Sequence, residues 1–227
     1  MLELIDTYWL YFLVGQYPDG PLGGLVLTIL LSGAALVLAM PLGLMLGIAR
    51  VSRRRAISLP VGVFVQLVRA VPLLLVLFWV YFFLPAVTGV KTSQATTMLI
   101  VLVVFDSVYL AEIVAAGIRA LPKGQLESAR SLGLGRAAAV RLVLLPQALR
   151  ASVPPLLSQT VNLWKDTSVA TVIGAAEMMY QAARVETASF RSLEAFTFAT
   201  LAYLTVSLLI SAAAYLFQRR YPVRTAA

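Results

Sequence analysis

The chain has 227 residues, 60% of them hydrophobic and only 12% charged, with a mean hydropathy of +0.89. That is about half the charge of a soluble domain, which excludes an ordinary water-soluble globule. With no cysteine and no histidine, disulfides, thiolate chemistry, the commonest general base and the commonest metal ligand are all missing, so no metal site is expected. The net charge of +8 suits a membrane protein whose cytoplasmic loops collect Lys and Arg, and no nucleic-acid partner is expected.

In chain order, MLELIDTYWL carries Glu3 and Asp6 but no basic residue, so it lacks the positive start of a signal peptide. Tyr8 to Val14, YWLYFLV, is aromatic and too short to span, so residues 1–21 are expected as a periplasmic or interfacial segment. Apolar runs long enough to cross a bilayer, roughly 20 residues each, then predict five spanning helices. They fall at 25–49, 63–84, 95–118, 153–178 and 193–217. The runs do not alternate, which favours helices over a barrel and gives an all-α integral membrane protein.

Charge sets the expected orientation. Segment 50–55 holds four arginines, segment 119–150 six basic residues and the tail three, thirteen in all, against Lys91, Arg184 and Arg191 in the opposite loops. The richer side is expected in the cytoplasm, with the N-terminus periplasmic, the C-terminus cytoplasmic and a cytoplasmic tail at 221–227.

The longest cytoplasmic segment contains GQLESARSLG, Gly124 to Gly133. Pro122 suits the first turn of a helix and Gly133 its stop. Leu126, Ala129 and Leu132 share a face, and Glu127 is spaced to reach Arg130 or Ser131. A second short helix is expected over 136–145, ended or kinked by Pro146. Spacing alone leaves two roles open for this loop, contact with membrane lipid or docking of a cytoplasmic partner.

Ionisable side chains within spans mark functional positions or neutralise one another. Arg69 falls in the second span, Asp106 and Glu112 in the third, and Lys165 with Asp166 in the fourth. Asn162, Thr167 and Ser168 add hydrogen-bonding groups beside Asp166. Together they outline a polar patch at mid-depth able to meet a charged or zwitterionic solute. No G-x-x-x-x-G-K-[ST] phosphate loop and no nucleophile elbow occurs, so an enzyme is not expected and any energy must come from an ion gradient or another subunit.

ESARSLGLGRAAAVRLVLLPQALR resembles the E-A-A loop of ABC importer permeases, with Glu127, Ser128, Ala129, Gly133 and Leu145-Pro146 at the pattern's positions. YLAEIVAAGIRALPKGQLESARSLG, NLWKDTSVATVIGAAEM and FVQLVRAVPLLLVLFWVYF resemble the branch that imports polar amino acids, of the histidine, glutamine and glutamate type. FFLPAVTG is most similar to glutamate/aspartate permeases. The resemblance covers about residues 22–220 and implies the type I importer permease fold in a bacterial inner membrane.

It also implies partners. These are a second permease chain, identical or similar, two cytoplasmic ATPase subunits that bind ATP-Mg, and a periplasmic amino-acid-binding protein. Gly124, Glu127, Ser128, Ala129, Gly133 and Pro146 would couple the chain to the ATPases. Three departures stand out. Ser128 replaces an alanine, Ala115 stands where the family often has arginine near Glu112, and Asp106 is charged where the span is usually neutral. Asp106 then either tunes the pore or neutralises Arg69. A proton- or sodium-coupled carrier and a membrane-anchored scaffold are the alternatives.

Overall fold

A computed structural model describes residues 2–220, and the expected tail at 221–227 lies outside them. The chain is helical nearly throughout. Helix α1 (Leu2–Val14) precedes three long apolar helices, α2 (Gly24–Arg50), α6 (Gln94–Arg119) and α11 (Ser192–Arg220). These three are long and apolar enough to cross a membrane.

The expected second span is broken. Helix α3 (Arg55–Ala70) and the stretch Leu73–Thr88 meet at 103° across Val71 and Pro72. Pro72 has no N–H to give, and it forces Val71 out of the helical region to φ −104°, ψ 133°. Beyond the break, α4 (Leu73–Phe78) widens into a π-helical turn, Trp79–Phe83, before α5 (Leu84–Thr88).

The expected fourth span is also redrawn. Helix α9 (Leu145–Asp166) is already under way before 153 and contains Pro154 and Pro155. It tightens into a 3-10 helix, Thr167–Ile173, which stops at left-handed Gly174. With Arg150, Lys165 and Asp166 along it, α9 is not among the strongly apolar helices. The described residues therefore hold three apolar spans, or four if the bent pair is one.

The centre of the fold is the contact of α2 with α6. The buried residues of α2 recur about every fourth position and are mostly small: Gly24, Thr28, Leu31, Ala35, Ala39, Gly43 and Gly47. Small residues let helix backbones approach closely in a membrane, where hydrophobic burial gives no net drive. A Cβ on Gly43 would lie 2.5 Å from Leu110 Cβ and 3.0 Å from the Ser107 carbonyl. One on Gly47 would lie 2.8 Å from the Ala111 carbonyl. Around this seam, Leu77, Met98, Val101, Leu102 and Leu163 form the largest buried cluster.

Helix α10 (Met178–Ser189) and α11 close the other side. Fully buried Glu177 accepts from the Met179 and Tyr180 N–H groups and from the Tyr203 hydroxyl, each at 2.8 Å. Trp164 Nε1 donates to the Tyr203 carbonyl at 3.2 Å and ties α9 to α11. Helix α1 packs Leu4 and Phe12 against α10 and α11, while Trp9 and Leu10 remain about half exposed. Helix α1 is thus packed on one side only.

The α2–α6 seam predicts a contrast within one helix. Gly43→Val overpacks the contact and should destabilise the protein by about 1–3 kcal/mol or more. Gly33→Ala meets nothing within 4 Å and should be neutral or stabilising by about 0.5–1 kcal/mol. Thermal unfolding of the detergent-solubilised variants separates the two.

Candidate functional site

Two polar regions emerge. The first is a cavity of about 650 Å³ at the break between α3 and α4, closed by α6 and α9. Arg69 comes from the end of α3, Tyr109 from α6, and Gln159, Asn162, Lys165 and Asp166 from α9. The break at Val71-Pro72 is what admits a cavity here, because a straight helix would continue through it. The spacing of Gln159, Asn162 and Lys165, every third residue, puts them along one helical face.

Lys165 is exposed and makes no ion pair among the described residues. Arg69 is shared. Its guanidinium lies 5.3 Å from the centre of the Tyr109 ring, and Nη1 is 3.7 Å from Glu112 Oε2. Its Nε is buried with no partner among the described residues. Glu112 also accepts from Arg50 Nε at 2.7 Å and Arg119 Nη1 at 3.2 Å. One carboxylate therefore gathers three guanidiniums from α2, α3 and α6. This bears on the departure at Ala115, because Arg50 and Arg69 from other helices and Arg119 further along α6 supply guanidiniums to Glu112.

Asp106 does not neutralise Arg69. It is 2% exposed, and its Oδ1 accepts from Gln159 Nε2 at 2.7 Å. Thr167 and Ser168 stand apart from the cavity lining. Thr167 is buried and donates to the Trp164 carbonyl, and Ser168 donates to the Lys165 carbonyl, both at 2.7 Å. The structure thus brings Arg69, Asn162, Lys165 and Asp166 together, sets Asp106 one layer behind, and turns Thr167 and Ser168 to their own backbone. Gln159, Tyr109 and Arg50 went unremarked in the sequence. The spacing of Gln159 to Asn162 was a usable signal, whereas nothing local marked Arg50 as a partner of Glu112.

The second region is the loop at 119–150. Helix α7 (Lys123–Ser131) follows Pro122 and ends at Gly133, with φ +84°. Gly133 N–H donates to the Arg130 carbonyl and Leu134 N–H to the Ala129 carbonyl, the paired bonds of a Schellman stop. That φ is why glycine stands there. Ala129 is buried, whereas Gly124, Glu127 and Ser128 face outward. Leu132 is 83% exposed and so leaves the face expected for it with Leu126 and Ala129. No Glu127–Arg130 ion pair forms among the described residues, and Ser131 Oγ bonds only the Glu127 carbonyl.

Pro146 does not end the second helix. Helix α8 (Arg136–Ala139) widens to a π-helical turn, Val140–Leu144, and runs on as α9 through Pro146. The wider turn relieves the proline ring and its missing N–H, and the same arrangement precedes Pro85. Gln147 Nε2 bonds Gln125 Oε1 at 3.2 Å and fastens α7 to the start of α9. Partial desolvation, then the neighbouring guanidinium charges of Arg53 and Arg130, lower the Arg136 pKa, so the same surface is strongly basic.

The comparisons with known proteins agree with this architecture. The family described as the binding-protein-dependent transport system inner membrane component matches residues 39–222. The chain is 36% identical over 159 residues to the probable glutamine ABC transporter permease protein GlnP of Bacillus subtilis (strain 168), covering 70% of this chain and 72% of that protein. It is 31% identical over 206 residues to the glutamate/aspartate import permease protein GltK of Escherichia coli O6:H1, covering 88% and 92%. A crystal structure of an amino acid ABC transporter with histidines superposes with a TM-score of 0.84 at 29% identity, covering 96% of this chain and 97% of that one. The fold is that of type I importer permeases. On its family match and its fold, the chain belongs to the binding-protein-dependent transport system inner membrane components, as a permease subunit of an amino acid ABC importer.

Proposed function

We propose that the chain forms part of the translocation path for a polar amino acid of the glutamate, aspartate and glutamine class, and that the cavity at the α3–α4 break receives the solute. One observation carries this reading: Lys165, with no carboxylate in ion-pair contact among the described residues, stands beside Arg69, Asn162 and Asp166 around one polar cavity. Unpaired charge within a membrane protein is costly and is retained where a solute or water meets it. Two cations at the cavity, Lys165 and the Arg69 that Glu112 holds only at 3.7 Å, suit the carboxylates of an acidic amino acid, which favours glutamate or aspartate within the class.

On the same reading the loop at 124–146 couples the chain to cytoplasmic ATPase subunits. Gly124, Glu127 and Ser128 supply the exposed face, Ala129 the buried one, Gly133 the stop, and Pro146 the join to α9. The partners bind ATP-Mg, a second permease chain completes the pore, and a periplasmic binding protein delivers the amino acid. The basic loops face the cytoplasm of a bacterial inner membrane and the N-terminus faces the periplasm. Residues 22–220 act as the transmembrane domain, and 1–21 lie at the outer interface.

Two measurements check this. In proteoliposomes holding the whole complex, Lys165→Met should cut amino acid uptake at least about tenfold, as expected for loss of a charged hydrogen bond. ATPase subunits should still copurify with that variant. Unchanged uptake would remove Lys165 from the path.

Glu127→Lys reverses the exposed charge of α7. Gly133→Val puts a branched residue at φ +84°, a strain of about 1–3 kcal/mol. Both variants should insert normally yet lose ATP-driven uptake, with ATPase copurification reduced. Full uptake driven by an ion gradient without ATP would instead point to a secondary carrier.

A further inference from the structure

The cavity wall contains a polar group whose orientation is fixed from outside the cavity. Gln159 lines it, while its Nε2 donates to Asp106 Oδ1 at 2.7 Å. Asp106 is on α6, almost fully buried, and is not itself part of the lining. A carboxylate only accepts hydrogen bonds, whereas an amide has a donor end and an acceptor end. With one Nε2 N–H committed to the carboxylate, the second N–H stays on the Asp106 side, and the amide's acceptor end, Oε1, is turned away from Asp106. That oxygen has no protein partner among the described residues and is not buried.

The orientation is enforced by what reversal would do. Asp106 Oδ2 is buried and unpartnered, so Gln159 supplies the one hydrogen bond the carboxylate receives among the described residues. Turning the amide over would set a carbonyl against a carboxylate and leave a buried acid with no donor. Burying an unpaired charge in a low-dielectric interior is heavily penalised. The same wall would then offer N–H groups instead of a carbonyl.

We propose that Asp106 is a positioning residue that holds Gln159 with its acceptor toward the cavity, so that the cavity selects solutes offering a hydrogen-bond donor there, an ammonium or a primary amide. The proposal rests on the reading of this cavity as the solute site. Arg69 and Lys165 supply the cations that a carboxylate needs, and Gln159 supplies the acceptor that they do not. A zwitterion then finds both polarities in one place. Asp106 acts through Gln159 and needs no contact with the solute.

The test is direct solute binding to the purified transporter complex in detergent, without binding protein, by calorimetry. The probes are glutamine, glutamate and 2-oxoglutarate. Glutamine and glutamate differ by a side-chain amide, and glutamate and 2-oxoglutarate by the ammonium. The wild type should prefer the donor-bearing member of at least one pair. Asp106→Asn lets the Gln159 amide pair either way up, and that preference should fall about tenfold. Asp106→Asn combined with Gln159→Glu exchanges donor and acceptor across the same bond. It returns an acceptor to the cavity and should restore the preference.

Wild-type ratios in Asp106→Asn would overturn the proposal. So would an equal loss of all three probes that the double variant fails to recover, since a purely structural role predicts that pattern. If the wild type binds none of the probes, or Lys165→Met leaves all three unaffected, the reading of the cavity fails and the proposal falls with it.

Discussion

The close contact of α2 with α6 sets the position of almost everything else. Gly43 and Gly47 allow backbone-to-side-chain distances that no larger residue would permit. Because α2 lies so near, Arg50 at its end reaches Glu112 on α6. The chain then turns through Arg53–Arg55 and sends α3 back along α6, where Val65 packs on Val108 and Ala111. That return brings Arg69 to the same carboxylate and to the mouth of the cavity. The charged cluster therefore follows from a contact made of glycine and alanine.

Three guanidiniums around one carboxylate are more than neutralisation requires. Breaking a partly buried pair usually leaves an uncompensated charge, so such clusters hold one geometry firmly. Arg69 is the weakest member by distance, at 3.7 Å against 2.7 Å and 3.2 Å for the others. It is also the member that lines the cavity. Glu112 keeps two shorter partners if Arg69 is drawn toward a solute carboxylate. The arrangement thus lets one arginine respond to the cavity without dismantling the junction of α2, α3 and α6.

The sequence made the long apolar helices legible, because hydrophobic runs of that length have few other uses. The stop at Gly133 was legible too, since a left-handed residue after a polar helix has a strong glycine signature. Two proline effects were not. Pro146 reads as a breaker, yet a π-helical turn before it absorbs the lost bond and the helix continues. Pro72 lies in an apolar stretch that reads as one span, yet no such turn precedes it and the helix bends by 103°. The outcome depends on whether neighbouring helices can accommodate a widened turn, which local residue order does not encode. Asp106 and Glu112 read alike as acids in a span. Only the fold separates them, giving one an amide and the other three arginines.

Helix α9 joins the two polar regions. It begins at the proline-bearing end of the loop, is fastened to α7 through Gln147 and Gln125, and ends at Lys165 and Asp166 in the cavity wall. At about 1.5 Å per residue, the stretch from Gln147 to Lys165 is roughly 27 Å long. Pro154 and Pro155 lie midway along it, and Ser152 bonds the Ile113 carbonyl of α6 just before them. A displacement of α7 in the proposed importer would enter α9 at its start and meet α6 near Ser152. It would be felt at Gln159, Asn162 and Lys165 as a change in their distance from Arg69 on the separately anchored α3. Loop and cavity need no flexible linker between them, since a single helix carries residues of both.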